Sequence, residues 1–188
     1  MILLIDNYDS FSYNLYQLIG GINPNIKVIR NDEFTCEEIE KMNPSHLIIS
    51  PGPGRPSDAG ICEEAIQFFK GKIPIFGVCL GHQAICEVFG SEITYADQLM
   101  HGKVSKIKVN NEATIFKDIP ETIEVGRYHS LAVNKETLSQ ELLIVGEADD
   151  GEIMAVKHAE YEIYGVQFHP ESILTNAGEQ ILRNFLGE

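Results

Sequence analysis

Residues 73–90 read IPIFGVCLGHQAICEVFG. The apolar run Ile73–Val78 meets a cysteine set between glycines, and the pattern then turns helical over Leu80–Phe89 before Gly90 closes it. A strand with almost no polar positions is buried on both faces, which points to a parallel sheet covered by helices. The same alternation continues upstream. Met1–Ile5 (MILLI), Ile26–Arg30 (IKVIR) and His46–Ser50 (HLIIS) read as strands, the last stopped by Pro51-Gly52-Pro53-Gly54. Phe11–Ile19, Cys36–Met42 and Ile61–Lys70 read as helices between them, the first ending at Gly20-Gly21.

Downstream the pattern changes. Lys103–Val109, Ile123–Tyr128, Leu142–Glu147 and Ile153–Lys157 alternate polar and apolar residues, as antiparallel strands with one wetter face do. Tyr164–Phe168 returns to a buried strand, and Ala177–Leu186 reads as a closing helix. No repeat or linker interrupts residues 1–188. The expected fold class is α/β: a single domain whose mostly parallel central sheet is flanked by helices and carries an antiparallel extension.

Composition bounds the partners. The chain has 188 residues, 44% hydrophobic and 22% charged, enough for a substantial core. Its formal net charge of −14 repels phosphate backbones and anionic membranes, so neither nucleic acid nor a membrane is expected as a partner. Cys36, Cys62, Cys79 and Cys86 form no CxxC pair, and the N-terminus lacks the basic start of a signal peptide. A soluble, cytoplasmic protein with reduced thiols is the expectation.

Gly77-Val78-Cys79-Leu80-Gly81 has the form G-x-nucleophile-x-G between strand and helix. Such a turn exposes its central side chain, and the glycines permit the tight backbone. A sulfur near a helix N-terminus is favoured as thiolate, the reactive form of a group that titrates at about 8.5 when free. The bland alternative is a small buried residue in a Gly-rich bend. The other three thiols fall within helical patterns and read as structural.

A nucleophile needs a base with an orienting partner. His169-Pro170-Glu171 follows the strand YGVQF, and in continued extended geometry His169 and Glu171 share a face. Glu171 can then hold the imidazole with its other nitrogen toward Cys79. Both strand ends lie on the carboxyl edge, where such sheets bind ligands. A surface turn is the competing explanation. The Pro51–Gly54 loop ends a third strand, where a glycine lets a backbone N–H approach a ligand closely, and the N–H of Leu80 would supply a second donor to an oxyanion. Neither a P-loop nor a dinucleotide fingerprint is present, and no zinc-ligand spacing occurs.

Gly77-Val78-Cys79-Leu80-Gly81-His82-Gln83 together with Gln167-Phe168-His169-Pro170-Glu171-Ser172 resembles the class I, triad-type glutamine amidotransferases, across essentially the whole chain. Asp6-Asn7-Tyr8-Asp9-Ser10-Phe11, His101-Gly102-Lys103 and Arg127-Tyr128-His129-Ser130-Leu131 resemble the chorismate-dependent branch of that family. Ser12 stands where threonine is frequent in these relatives. The resemblance implies a flavodoxin-like sheet and a Cys79–His169–Glu171 triad. It also implies an oxyanion hole at Gly52 and Leu80, and a glutamine pocket of Gly52, Pro53, Gly54, Gln83, Ser130 and Leu131. Cys79 would attack the side-chain amide of L-glutamine, ammonia would leave, and water would hydrolyse the thioester.

The same resemblance implies a heteromer with a chorismate-binding synthase large subunit, anthranilate synthase ahead of aminodeoxychorismate synthase, or one chain serving both. His101, Gly102 and Lys103 would lie near that partner, or form no more than a polar strand entry. No cofactor is expected in this chain, since a magnesium ion would belong to the synthase. The length suggests one component of a larger enzyme, as no acceptor-binding domain is recognisable. The amidotransferases of GMP and carbamoyl phosphate synthesis share the triad. A thiol hydrolase of γ-glutamyl compounds and a flavodoxin-like binding module are the alternatives from other classes.

Overall fold

The computed structural model describes all residues, Met1–Glu188. Five parallel strands form the centre: β1 (Ile2–Asp6), β2 (Ile26–Arg30), β3 (His46–Ile49), β4 (Ile75–Val78) and β11 (Ile163–Val166). They lie in the order β2-β1-β3-β4-β11, the order of doubly wound flavodoxin-like sheets. Four antiparallel strands extend this sheet: β10 (Ile153–His158), β9 (Leu142–Ala148), β6 (Lys103–Val109) and β7 (Thr122–Arg127). The mostly parallel sheet with an antiparallel extension is therefore present as expected from the patterning.

Alternation along β1 shows how the core divides. Ile2 and Leu4 face one layer with α1 (Phe11–Ile22) and α5 (Gly178–Leu186), while Leu3 and Ile5 face α2 (Cys36–Lys41), α3 (Cys62–Phe69) and α4 (Leu80–Val88). Neither face of β1, β3, β4 or β11 meets water, which is why their sequences are almost continuously apolar, whereas the edge strand β2 is exposed at Lys27, Val28 and Arg30. No helix is long and apolar enough to cross a membrane.

Three local expectations need correction. Helix α1 does not stop at Gly20-Gly21 but runs to Ile22, where Asn23 caps it ahead of Pro24. Neither glycine takes a positive φ, so the pair weakens the helix without ending it. Strand β11 ends at Val166, two residues before Phe168. A two-stranded antiparallel sheet of β5 (Ile93–Tyr95) and β8 (Leu131–Val133) is also present, too short to show as a pattern.

Helix α4 presses closely on the sheet, and this approach determines where its N-terminus lies. A Cβ on Gly77 would collide with the backbone C and O of Gly81, and one on Gly81 would sit 2.5 Å from the carbonyl of Ile49. Replacing Gly77 with alanine therefore forces the helix away from β4. Gly77→Ala is expected to lose about 1–3 kcal/mol of unfolding free energy, measured by denaturant titration, as overpacking of a close contact does.

Candidate active site

The parallel strands share one direction, so β1, β3, β4 and β11 all end on the same edge. Cys79 follows β4 directly and serves as the N-cap of α4, with φ 52° and ψ −98°. Its N–H donates to Val166 O at 2.8 Å, and its carbonyl accepts from Gln83 N–H at 3.0 Å. These bonds fix both sides of the turn and leave the side chain at the strand edge, as the G-x-C-x-G pattern predicts.

His169 arrives from β11 by a different route from the one expected. The chain is no longer extended there: Ser172 N–H donates to His169 O, closing a turn over Pro170 and Glu171. Thr175 Oγ1 donates to the same carbonyl at 2.7 Å. The turn, rather than strand alternation, brings Glu171 back, and His169 Nδ1 lies 2.5 Å from Glu171 Oε1. Gly178 makes this turn possible, because a Cβ there would overlap the carbonyl of Pro170. The histidine N–H is tied to β7 through Gly126 O at 3.1 Å. Phe11 and Tyr128 hold the ring from the sides, each with its centroid within 4.9 Å.

Burial alone would lower the pKa of His169, but the Cys79 sulfur and the Glu171 carboxylate together push it up to about 10. Its Nε2 is buried without a fully formed hydrogen bond and lies beside that sulfur. The neighbouring histidines shift the other way. Burial pushes His82 down to about 3, and burial with the Arg127 charge takes His129 to about 4. The imidazole that carries a proton at neutral pH is thus the one facing Cys79. The remaining thiols are kept protonated, Cys36 pushed up to about 11 and Cys62 to about 12 by burial.

A cleft of about 190 Å³ opens over Cys79, lined by Gly52, Pro53, Gly54, Gln83, Tyr128, His129, Ser130 and Leu131. Every residue expected in the substrate pocket therefore lies in one cavity. Its volume falls below the roughly 300 Å³ at which pockets for drug-sized molecules begin, which suits a single amino acid. Larger hollows on the antiparallel extension, such as that of about 670 Å³ lined by Lys108 and Glu147, contain no cysteine.

Gly52 lies against Leu80, where a Cβ would come 2.7 Å from the Leu80 Cδ2. Leu80 is the first residue of α4, so its N–H lacks an intrahelical acceptor. Gly52 N–H has no partner within the protein. Gly52 lines the cleft with Cys79 and Leu80 follows Cys79 in the chain, so two N–H groups without an acceptor belong to residues bordering the sulfur's residue. His101, Gly102 and Lys103 do not line the cleft. They are exposed at the entry to β6, with Gly102 at φ +66° near the Tyr128 ring.

Sequence reasoning overlooked two residues that hold the site. Asn7, at the end of β1, donates its backbone N–H to the Ser50 hydroxyl at 2.9 Å and its side-chain amide to Ser50 O at 2.9 Å, which pins the Pro51–Gly54 loop. Its place in the Asp6–Phe11 motif was the available signal. Arg127, almost fully buried, pairs with Glu152 at 2.9 Å and Asp150 at 3.2 Å and donates to His129, which backs the 129–131 segment.

The glutamine amidotransferase class-I family model matches residues 3–188. The chain belongs to the class I glutamine amidotransferases. Among curated members of that family, it is 52% identical over 186 residues to aminodeoxychorismate/anthranilate synthase component 2 of Bacillus subtilis, covering 99% of this chain and 95% of that protein. It is 51% identical over 187 residues to the bifunctional protein TrpGD of Thermotoga maritima, covering 98% of this chain but only 32% of that longer protein. A crystal structure from Thermoplasma acidophilum, of a protein described as one chain of a GMP synthase, superposes with a TM-score of 0.88 at 25% identity, covering 99% of this chain and 92% of that one. Sheet order and likeness to a solved structure thus point to the same amidotransferase fold.

The Glu171 side chain is fully buried and has the imidazole as its charged partner. Glu171→Gln keeps the shape and removes the charge. The pKa of His169, followed by NMR of the ring protons, is expected to fall by about one to three pH units. The raised value also means that the protonated imidazole, held by the sulfur and by Glu171, stabilises the fold, fully so below about pH 6.5. That contribution is lost as pH rises through about 10.

Proposed function

We propose that this amidotransferase is the glutamine-hydrolysing component of a chorismate-using synthase. The cleft supports the reading best: one cavity of single-amino-acid size holds Cys79, the Gly52–Gly54 loop and Gln83, with the His169–Glu171 pair beside the sulfur. In this reading the Cys79 sulfur attacks the side-chain carbonyl carbon of L-glutamine, and the negative charge gathers on the oxygen facing the Gly52 and Leu80 N–H groups. The tetrahedral intermediate collapses, the C–N bond breaks, and His169 gives its proton to the leaving amine. Water, deprotonated by His169, then attacks the thioester, releasing glutamate and restoring the sulfur. Gln83, Ser130 and Leu131 bind the substrate's amino-acid end.

Free ammonia is mostly protonated at neutral pH and a poor nucleophile, so a partner that receives it directly makes chemical sense. The Bacillus relative, named as component 2 of a synthase, favours a chorismate-binding synthase large subunit as partner, with the exposed His101–Lys103 segment as a candidate contact. Anthranilate formation is the first assignment. The double name of the Bacillus protein favours a second, in which one chain serves anthranilate and aminodeoxychorismate synthases alike.

The test is ammonia release from glutamine by the chain mixed separately with each of the two large subunits. Stimulation by the large subunit of anthranilate synthase is expected, and Cys79→Ala should lower the rate by about 10³-fold or more. Stimulation by both partners selects the shared role. Turnover that is equal with and without either partner contradicts the coupling, and ammonia release that survives Cys79→Ala contradicts the mechanism.

A further inference from the structure

Three side chains far apart in sequence meet behind the nucleophile. Gln83 Nε2 donates to the backbone carbonyl of Leu131 at 3.0 Å and to Gln167 Oε1 at 3.2 Å. Gln167 Nε2 in turn donates to the sulfur of Cys79 at 3.4 Å. Gln167 is completely buried and Gln83 is 3% exposed, so water does not compete for these bonds.

An amide side chain has donors at one end and an acceptor at the other, so the direction of such a chain depends on its fixed end. The Leu131 carbonyl can only accept. Gln83 must therefore turn its NH₂ toward Leu131, and the second proton of that NH₂ points at Gln167. Gln167 has to present its oxygen there, which leaves its own NH₂ for Cys79. Reversing Gln83 would set oxygen against oxygen at Leu131 and Gln167, and reversing Gln167 would set its NH₂ against that of Gln83. The sulfur thus always faces a donor on this side, a bond that a sulfur anion accepts strongly and a thiol sulfur only weakly.

We propose that Gln167 is a catalytic residue, whose side-chain amide donates a hydrogen bond to the Cys79 sulfur in a direction fixed through Gln83 by the Leu131 carbonyl. The proposal rests on Cys79 being the nucleophile, and it adds a second donor opposite His169. Gln83 then has two duties: it lines the cleft, and its NH₂ sets the polarity of the bond to sulfur. Leu131 lines the same cleft. Substrate that displaces its carbonyl would therefore alter the donor offered to the nucleophile.

The titratable groups around the sulfur are His169, with Glu171 and Asp9 beside that imidazole, and His129 across the cleft. The test is alkylation of Cys79 by iodoacetamide without glutamine, located by peptide mass mapping, from about pH 6 to about pH 9 on either side of the free-thiol value. Gln167→Leu is expected to slow alkylation at neutral pH by about tenfold or more, the effect of one hydrogen bond to a charged group. Gln167→Glu keeps the shape and the acceptor toward Gln83 but sets a carboxylate against the sulfur. It should move the alkylation profile to higher pH, and it decides the matter if the leucine variant does not fold.

The proposal is overturned if both variants, folded by circular dichroism, alkylate along the parental profile. Alkylation that depends on Gln167 in a protein that hydrolyses no glutamine would uphold the donor and count against the glutaminase reading alone.

Discussion

The backbone of Cys79 is held where a non-glycine residue goes only when its surroundings force it. At φ 52° and ψ −98° such a conformation stores on the order of 1–3 kcal/mol. Two hydrogen bonds and the close packing of Gly77 and Gly81 hold that strain in place. Without it, the sulfur would follow the strand direction into the sheet. With it, β4 can end and α4 can begin within one residue, and the reactive atom stands at the carboxyl edge where three other strands deliver their residues.

The electrostatics follow from that placement. A fully buried carboxylate such as Glu171 is tolerated only with a positive partner, and His169 supplies it. The imidazole is tied on one side to Glu171 and on the other to the neighbourhood of the sulfur, and its proton therefore stays beside the sulfur. His129, which lines the cleft, and the fully buried His82, which packs on Gly165, are held neutral. Strain positions the nucleophile, and the buried charge pair arms the acid and base beside it.

Local features of this design were legible in the sequence and long-range ones were not. The central strands are almost wholly apolar because they are covered on both faces, so Met1–Ile5 and Ile73–Val78 could be recognised without any knowledge of their neighbours. The elbow was legible because its glycines and its nucleophile lie within five residues. The meeting of His169 with Glu171 was anticipated for the wrong geometric reason, since a turn closed by Ser172 and Thr175 does the work assigned to an extended strand. The Gln83–Gln167–Cys79 chain joins residues 84 and 88 positions apart, and no periodicity encodes its polarity. The β5–β8 pair, three residues per strand, lacked the length for any pattern to emerge.

The central claim is that the sulfur presented by this turn becomes covalently acylated during glutamine hydrolysis. Adding hydroxylamine during turnover tests it directly, because hydroxylamine attacks a thioester in competition with water. The acyl-enzyme route predicts that γ-glutamyl hydroxamate forms at the expense of glutamate while ammonia is still released. Continued ammonia release with glutamate as the sole acyl product, at every hydroxylamine concentration, would contradict a Cys79 thioester and require direct attack by water.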